Sequence, residues 1–96
     1  MFEWDEQKNQ SNIRKHGISF ELAKRIFENP VFTRLDAREG YGEDREISIG
    51  MIDGVLVLVV IHTERDEGVI RLISARRATR KERQDYEKNL RPSINR

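Results

Sequence analysis

Seven consecutive apolar residues, Val55 to Ile61, constrain this chain more than any other segment. In extended backbone successive side chains point to opposite faces, so such a run is apolar on both sides and needs cover on both. It is too short to span a membrane and reads as a buried central strand reaching His62. Before it, Asp53-Gly54 is a tight hairpin signal. Arg45 to Ile52 then alternates Ile47, Ile49 and Met51 against Glu46, Ser48 and Gly50, as a half-buried strand does. After it, Asp66-Glu67-Gly68 turns into a further strand, Val69 to Arg76. Val31 to Leu35 and the short Met1 to Trp4 complete the strand candidates, with a polar loop from Asp36 to Asp44.

Helix signals fall at both ends. Asp5 is a plausible N-cap for a helix running to about His16 and stopped by Gly17. Ile13 is nearly its only aliphatic residue, so it must lean on Trp4, Ile18 and hydrogen bonds. Ser19 caps a second helix whose Phe20, Ala23, Ile26 and Phe27 form one stripe, ended by Asn29-Pro30. Thr79 and Glu82 have capping-box spacing, which starts a last helix running from Arg80 to about Leu90. Its apolar contacts are only Tyr86 and Leu90. The order strand, helix, helix, four strands, helix predicts an α+β domain with an antiparallel sheet and its helix pair on one face.

Composition narrows the class. Ninety-six residues make one modest core, and the chain reads as a single domain over 1–96. The absence of cysteine removes disulfides and thiolate metal sites and suits a reducing cytoplasm. No signal pattern or membrane span is recognisable, so the expected location is cytoplasmic. Net charge is +1, but it is unevenly spread. Residues 28–68 hold 4 basic and 10 acidic residues, whereas residues 71–96 hold 9 basic and 3 acidic. Arg80 and Lys81 sit in the first turn of the last helix, where the macrodipole disfavours cations. Cations beside free backbone N–H groups suit phosphate, and so point to nucleic acid.

The proton-moving groups are few: His16, His62, the carboxylates, Tyr41 and Tyr86. His62 and Glu64 share a face if their strand continues that far. An even-numbered loop would place Arg71 opposite His62. A three-residue loop at Asp66-Glu67-Gly68 would instead put Arg71 on the face of Thr63 and Arg65. Arg76 and Arg77 alternate faces, and Ser74 lies with Arg76. Asn9, Asn12 and His16 share one helix face, either as a substrate-contacting ridge or as bonds fastening an apolar-poor helix to the sheet. Arg45 could contact RNA or pair with Glu43, Asp44 and Glu46. Neither histidine has a spaced partner for zinc, and Gly40-Tyr41-Gly42 lacks the lysine and helix of a phosphate loop. No metal or cofactor is expected.

Two separate segments carry a resemblance. Phe2-Glu3-Trp4-Asp5, Lys8-Asn9, Asn12 and Lys15-His16-Gly17-Ile18-Ser19-Phe20-Glu21 resemble the opening of the BrnT toxins. His62-Thr63-Glu64-Arg65, Arg71 to Thr79, Glu82-Arg83 and Tyr86-Glu87 resemble their closing half. The resemblance implies a RelE-like fold and a metal-independent ribonuclease toxin of a type II toxin–antitoxin pair, arresting translation. It also implies a BrnA-like antitoxin with a ribbon-helix-helix end, which alone would bring operator DNA. A homodimer is a further way to cover the apolar strand and the thin last helix.

For RNA cleavage without a metal, groups must move protons and hold the charge growing on phosphorus. The expected catalytic residues are His62, Glu64, Arg65 and Arg76. Arg71, Arg77, Arg80, Lys81 and Arg83 are the expected RNA-binding cations. The alternative is a non-catalytic cationic module that binds RNA or an acidic partner protein. A pure DNA-binding role ranks last, for want of a helix-turn-helix pattern.

Overall fold

A computed structural model describes residues 1–36, 44–65 and 67–90, with only the backbone at Leu90. The polar loop expected from Asp36 to Asp44, with Tyr41 and its flanking glycines, falls mostly on 37–43 and lies outside the described residues.

The elements are β1 (Phe2–Glu3), α1 (Glu6–His16), α2 (Phe20–Ala23), a 3-10 helix (Lys24–Glu28), β2 (Phe32–Leu35), β3 (Glu46–Ile52), β4 (Leu56–Glu64), β5 (Ile70–Arg77) and α3 (Arg80–Leu90). The fold is the expected α+β, and the five strands order as β1-β5-β4-β3-β2. One pairing departs from an all-antiparallel sheet: β1 runs parallel to β5, Phe2 opposite Ile70 and Glu3 opposite Arg71. The chain enters through β1 and crosses the sheet as α1 and α2 before it reaches β2. The central run therefore pairs on both sides within hairpins, and β1 is left the outer edge of β5.

Local signals set the helix ends. The Asp5 carboxylate accepts from the N–H groups of Gln7 and Lys8, and Gly17 stops α1 at φ 71°. The Ser19 hydroxyl caps α2 by accepting from Leu22 N–H. The expected second helix tightens into 3-10 geometry from Lys24 onward, which lets Ile26 descend onto Gly50 of β3.

Strand β4 has two covered faces, as its sequence requires. Leu58 and Val60 pack with Ile18, Phe20, Ala23 and Ile26 beneath the helix pair. Val57 and Val59 pack with Ile49 and Tyr86 beneath α3. Tyr86 is thus core, 7% exposed. No described helix is long and apolar enough to cross a membrane.

Candidate active site

His62 and Glu64 fall on the helix-pair face of β4, while Ile61 and Thr63 fall on the α3 face. His62 is buried, 4% exposed, with Nε2 at 2.7 Å from the Ser48 hydroxyl, itself 2.7 Å from the Thr33 hydroxyl. The Phe27 ring meets the imidazole edge to face at 5.1 Å. Burial pushes the His62 pKa down to about 4, so the ring is neutral at pH 7. Its Nδ1 has no hydrogen-bond partner and lies 3.8 Å from a Glu46 carboxylate oxygen.

Glu46 connects this buried ring to an open cleft of about 490 Å³ at the end of the sheet. Among the described residues, Leu35, Asp44, Glu46, Thr63, Glu64 and Arg65 line it. Three of the four expected catalytic residues therefore gather here: Glu64 and Arg65 in the wall, and His62 behind Glu46. The Thr63 hydroxyl donates to Asp44 C=O at 2.7 Å and ties β4 to the start of β3. Carboxylates outnumber the arginine in this wall. They can take a proton, and Arg65 can hold a phosphate, while the described lining carries an excess of negative charge.

The cations lie elsewhere. Arg65 N–H donates to Val69 C=O and Thr63 pairs with Arg71, so the pairing continues past the strand ends and leaves three residues between Arg65 and Val69. Of the two registers open in the sequence, Arg71 adopts the one on the face of Thr63, away from His62. It is bound to Glu3 at 3.0 Å. Ile73 is an extra residue between the His62–Leu72 and Ile61–Ser74 pairs, a bulge the sequence does not announce. Ser74 and Arg76 then share the α3 face, and Arg77 takes the other. Arg76 forms two 2.8 Å bonds to Glu82, away from the cleft's His62–Glu46 pair. Its hydrogen bonds hold Glu82 down at about 2. Arg83 donates to Val55 C=O at 2.9 Å and lies near Glu87. Arg77, Arg80 and Lys81 are exposed, with no ion pair among the described residues.

Comparison with known proteins bears on this geometry. Residues 4–82 match the family of BrnT ribonuclease toxins of type II toxin–antitoxin systems. That span is most of the chain. The chain belongs to the BrnT family. No curated protein sequence matches it significantly. Among solved structures, the Brucella abortus ribonuclease toxin BrnT is similar with a TM-score of 0.64 at 30% identity, over 83% of this chain and 99% of that one. A type II toxin has an antitoxin partner, so this BrnT-family chain has one as well.

Two residues of this BrnT chain gain importance from the fold. Glu46 is the link between His62 and the cleft; its alternation with Ser48 in β3 gave its face but not its neighbour. Arg34 is paired with Ile47, which puts it on the α3 face with Arg71 and Arg76. That followed from the alternation of Phe32 and Arg34 only once the β2–β3 register was known. Asn9 and Asn12 fasten α1: Asn9 accepts from Phe20 N–H at the start of α2, and Asn12 bonds Ile18 C=O and both backbone groups of Ala75 in β5. No group of three or more His, Cys, Asp or Glu suited to a metal occurs among the described residues.

Proposed function

We propose that this chain cleaves RNA without a metal, in the cytoplasm, and so arrests translation until a cognate antitoxin neutralises it. The antitoxin is BrnA-like, and its ribbon-helix-helix end carries the pair to operator DNA. The observation that supports the chemistry is the gathering of Glu64, Arg65, Glu46 and His62 at one cleft, whose Thr63 also belongs to the cationic α3 face.

A carboxylate of the cleft, Glu64 in this reading, takes the proton of a ribose 2′-hydroxyl. The 2′-oxygen attacks phosphorus, and Arg65 holds the charge on the phosphorane. The bond to the 5′-oxygen breaks, that oxygen takes a proton from water, a 2′,3′-cyclic phosphate remains, and Glu64 returns its proton to solvent. Neutral His62, held by Ser48, backs the Glu46 carboxylate at 3.8 Å. Arg76 takes an RNA phosphate in exchange for Glu82, and Arg71, Arg77, Arg80, Lys81 and Arg83 bind the backbone.

The test is RNA cleavage by purified protein in excess EDTA, alongside Glu64→Gln, Arg65→Ala, His62→Ala and Arg76→Ala. Cyclic-phosphate ends from the wild type, lost in Glu64→Gln at equal RNA affinity, support the reading. Intact RNA with soluble wild type overturns it. The excess of carboxylates in the cleft favours one rival, a cationic module that binds without cutting. That module predicts losses that scale with charge removed and a steep salt dependence.

A further inference from the structure

Helix α1 lies along β5, whose outer edge beyond Arg71 has no strand neighbour among the described residues. The Asn12 amide occupies that edge at Ala75. Beside it a groove of about 180 Å³ opens between the helix and the bulge at Ile73. Lys8, Ser11 and Lys15, at i, i+3 and i+7, line its helix wall together with His16, and Ser74 lines its strand wall. The lining thus has three basic side chains, two hydroxyls and no carboxylate among the described residues.

Helix stability accounts for only part of this. Lys15 and His16 are in the last turn, where the macrodipole favours cations. Lys8 is in the first turn, where it does not. The helix's own first-turn acid, Glu6, is turned toward Trp4, Asn9 and Gln10. Lys8 and Lys15 have no ion pair among the described residues. Ser74 lines the groove and by register shares the α3 face with Arg76, so it stands between the two.

We propose that the α1–β5 groove is a second anion subsite, taking an internal backbone phosphate of the RNA whose path crosses Arg76 and Ser74. Lys8 and Lys15 supply the charge, and the Ser11 and Ser74 hydroxyls donate to the phosphate oxygens. The inference rests on the RNA-cleaving reading above but concerns a site apart from the cleft.

The test measures binding of a 2′-O-methyl oligoribonucleotide, which cannot be cut, across a salt series. Lys8→Gln/Lys15→Gln is compared with wild type and with Arg14→Gln/Lys88→Gln, which removes equal charge outside the groove. The expected result is an affinity about tenfold lower and a log–log salt slope shallower by about 0.7, the value for one single-strand phosphate. The control pair stays near wild type. Equal affinity in the groove variant, or an equal loss in the control, overturns the subsite. A loss confined to oligonucleotides with a 5′-terminal phosphate overturns the internal assignment. A wild type that binds no RNA defeats the ribonuclease reading itself.

Discussion

Arg76 and Glu82 close a two-bond pair, both N···O distances 2.8 Å, and the same carboxylate caps α3 by accepting from Thr79 N–H. The end of β5 and the start of α3 are thereby locked through one side chain. Glu82→Gln leaves one acceptor oxygen where there were two, so one bond to Arg76 is lost and the other, with the cap, is weakened. We expect a stability loss of about 1 kcal/mol, modest because the pair is partly exposed. We also expect tighter binding to uncleavable RNA, because Arg76 is released toward phosphate. Thermal melting and anisotropy read the two effects separately. An unchanged RNA affinity would show that Arg76 does not touch the backbone.

His62 makes the fold sensitive to acid. Its pKa is about 4 when folded and near 6.5 in the unfolded chain, so between those values the unfolded state binds more protons. Its contribution is complete above pH 6.5 and is lost as pH falls toward 4. The full shift corresponds to about 3 kcal/mol, less whatever the new charge gains from Glu46 at 3.8 Å. His62→Gln retains a partner for Ser48 and should flatten unfolding free energy across this window. Equal pH slopes for the two proteins would refute the assignment.

The elements were legible because their signals are local. The Asp5 and Ser19 caps, Gly17, the Asp53-Gly54 turn and the Thr79/Glu82 box each act within a few residues. The two-sided apolar run also dictated a central strand without reference to its partners. The pairing of β1 with β5 joins residues 68 positions apart, in the case of Glu3 and Arg71, and no local pattern encodes it. The Ile73 bulge was likewise silent, although it decides that Ser74, not Ile73, pairs with Ile61, and so puts Ser74 and Arg76 on the α3 face. At the site, the common face of His62 and Glu64 was readable from alternation. The Glu46 neighbour, the burial under Phe27 and the Glu82 clasp on Arg76 depend on elements meeting in space.

Gly50 sets how closely the 3-10 helix approaches β3. A Cβ there would stand 2.7 Å from Ile26 Cβ and 3.0 Å from a Val31 methyl. Ile26 Cβ is fixed to the backbone, so the helix itself must lift. Gly50→Ala should cost about 1–3 kcal/mol by overpacking, read from urea or thermal unfolding. Wild-type stability in this variant would mean that the contact is loose.

Asn12 separates a structural from a substrate-contacting role for the polar face of α1. Its amide donates to Ile18 C=O and Ala75 C=O, both at 2.8 Å, and accepts from Ala75 N–H at 3.1 Å. The side chain is 5% exposed, so water cannot replace these bonds if it is lost. Asn12→Leu leaves three backbone groups unpaired and should cost about 2–4 kcal/mol. Protection of the Ala75 amide from hydrogen exchange should fall with it. Asn12→Asp should also destabilise, because it sets a carboxylate against two carbonyl oxygens. A substrate-contacting Asn12 predicts the reverse: variants that melt like wild type, keep the Ala75 amide protected and lose only RNA cleavage.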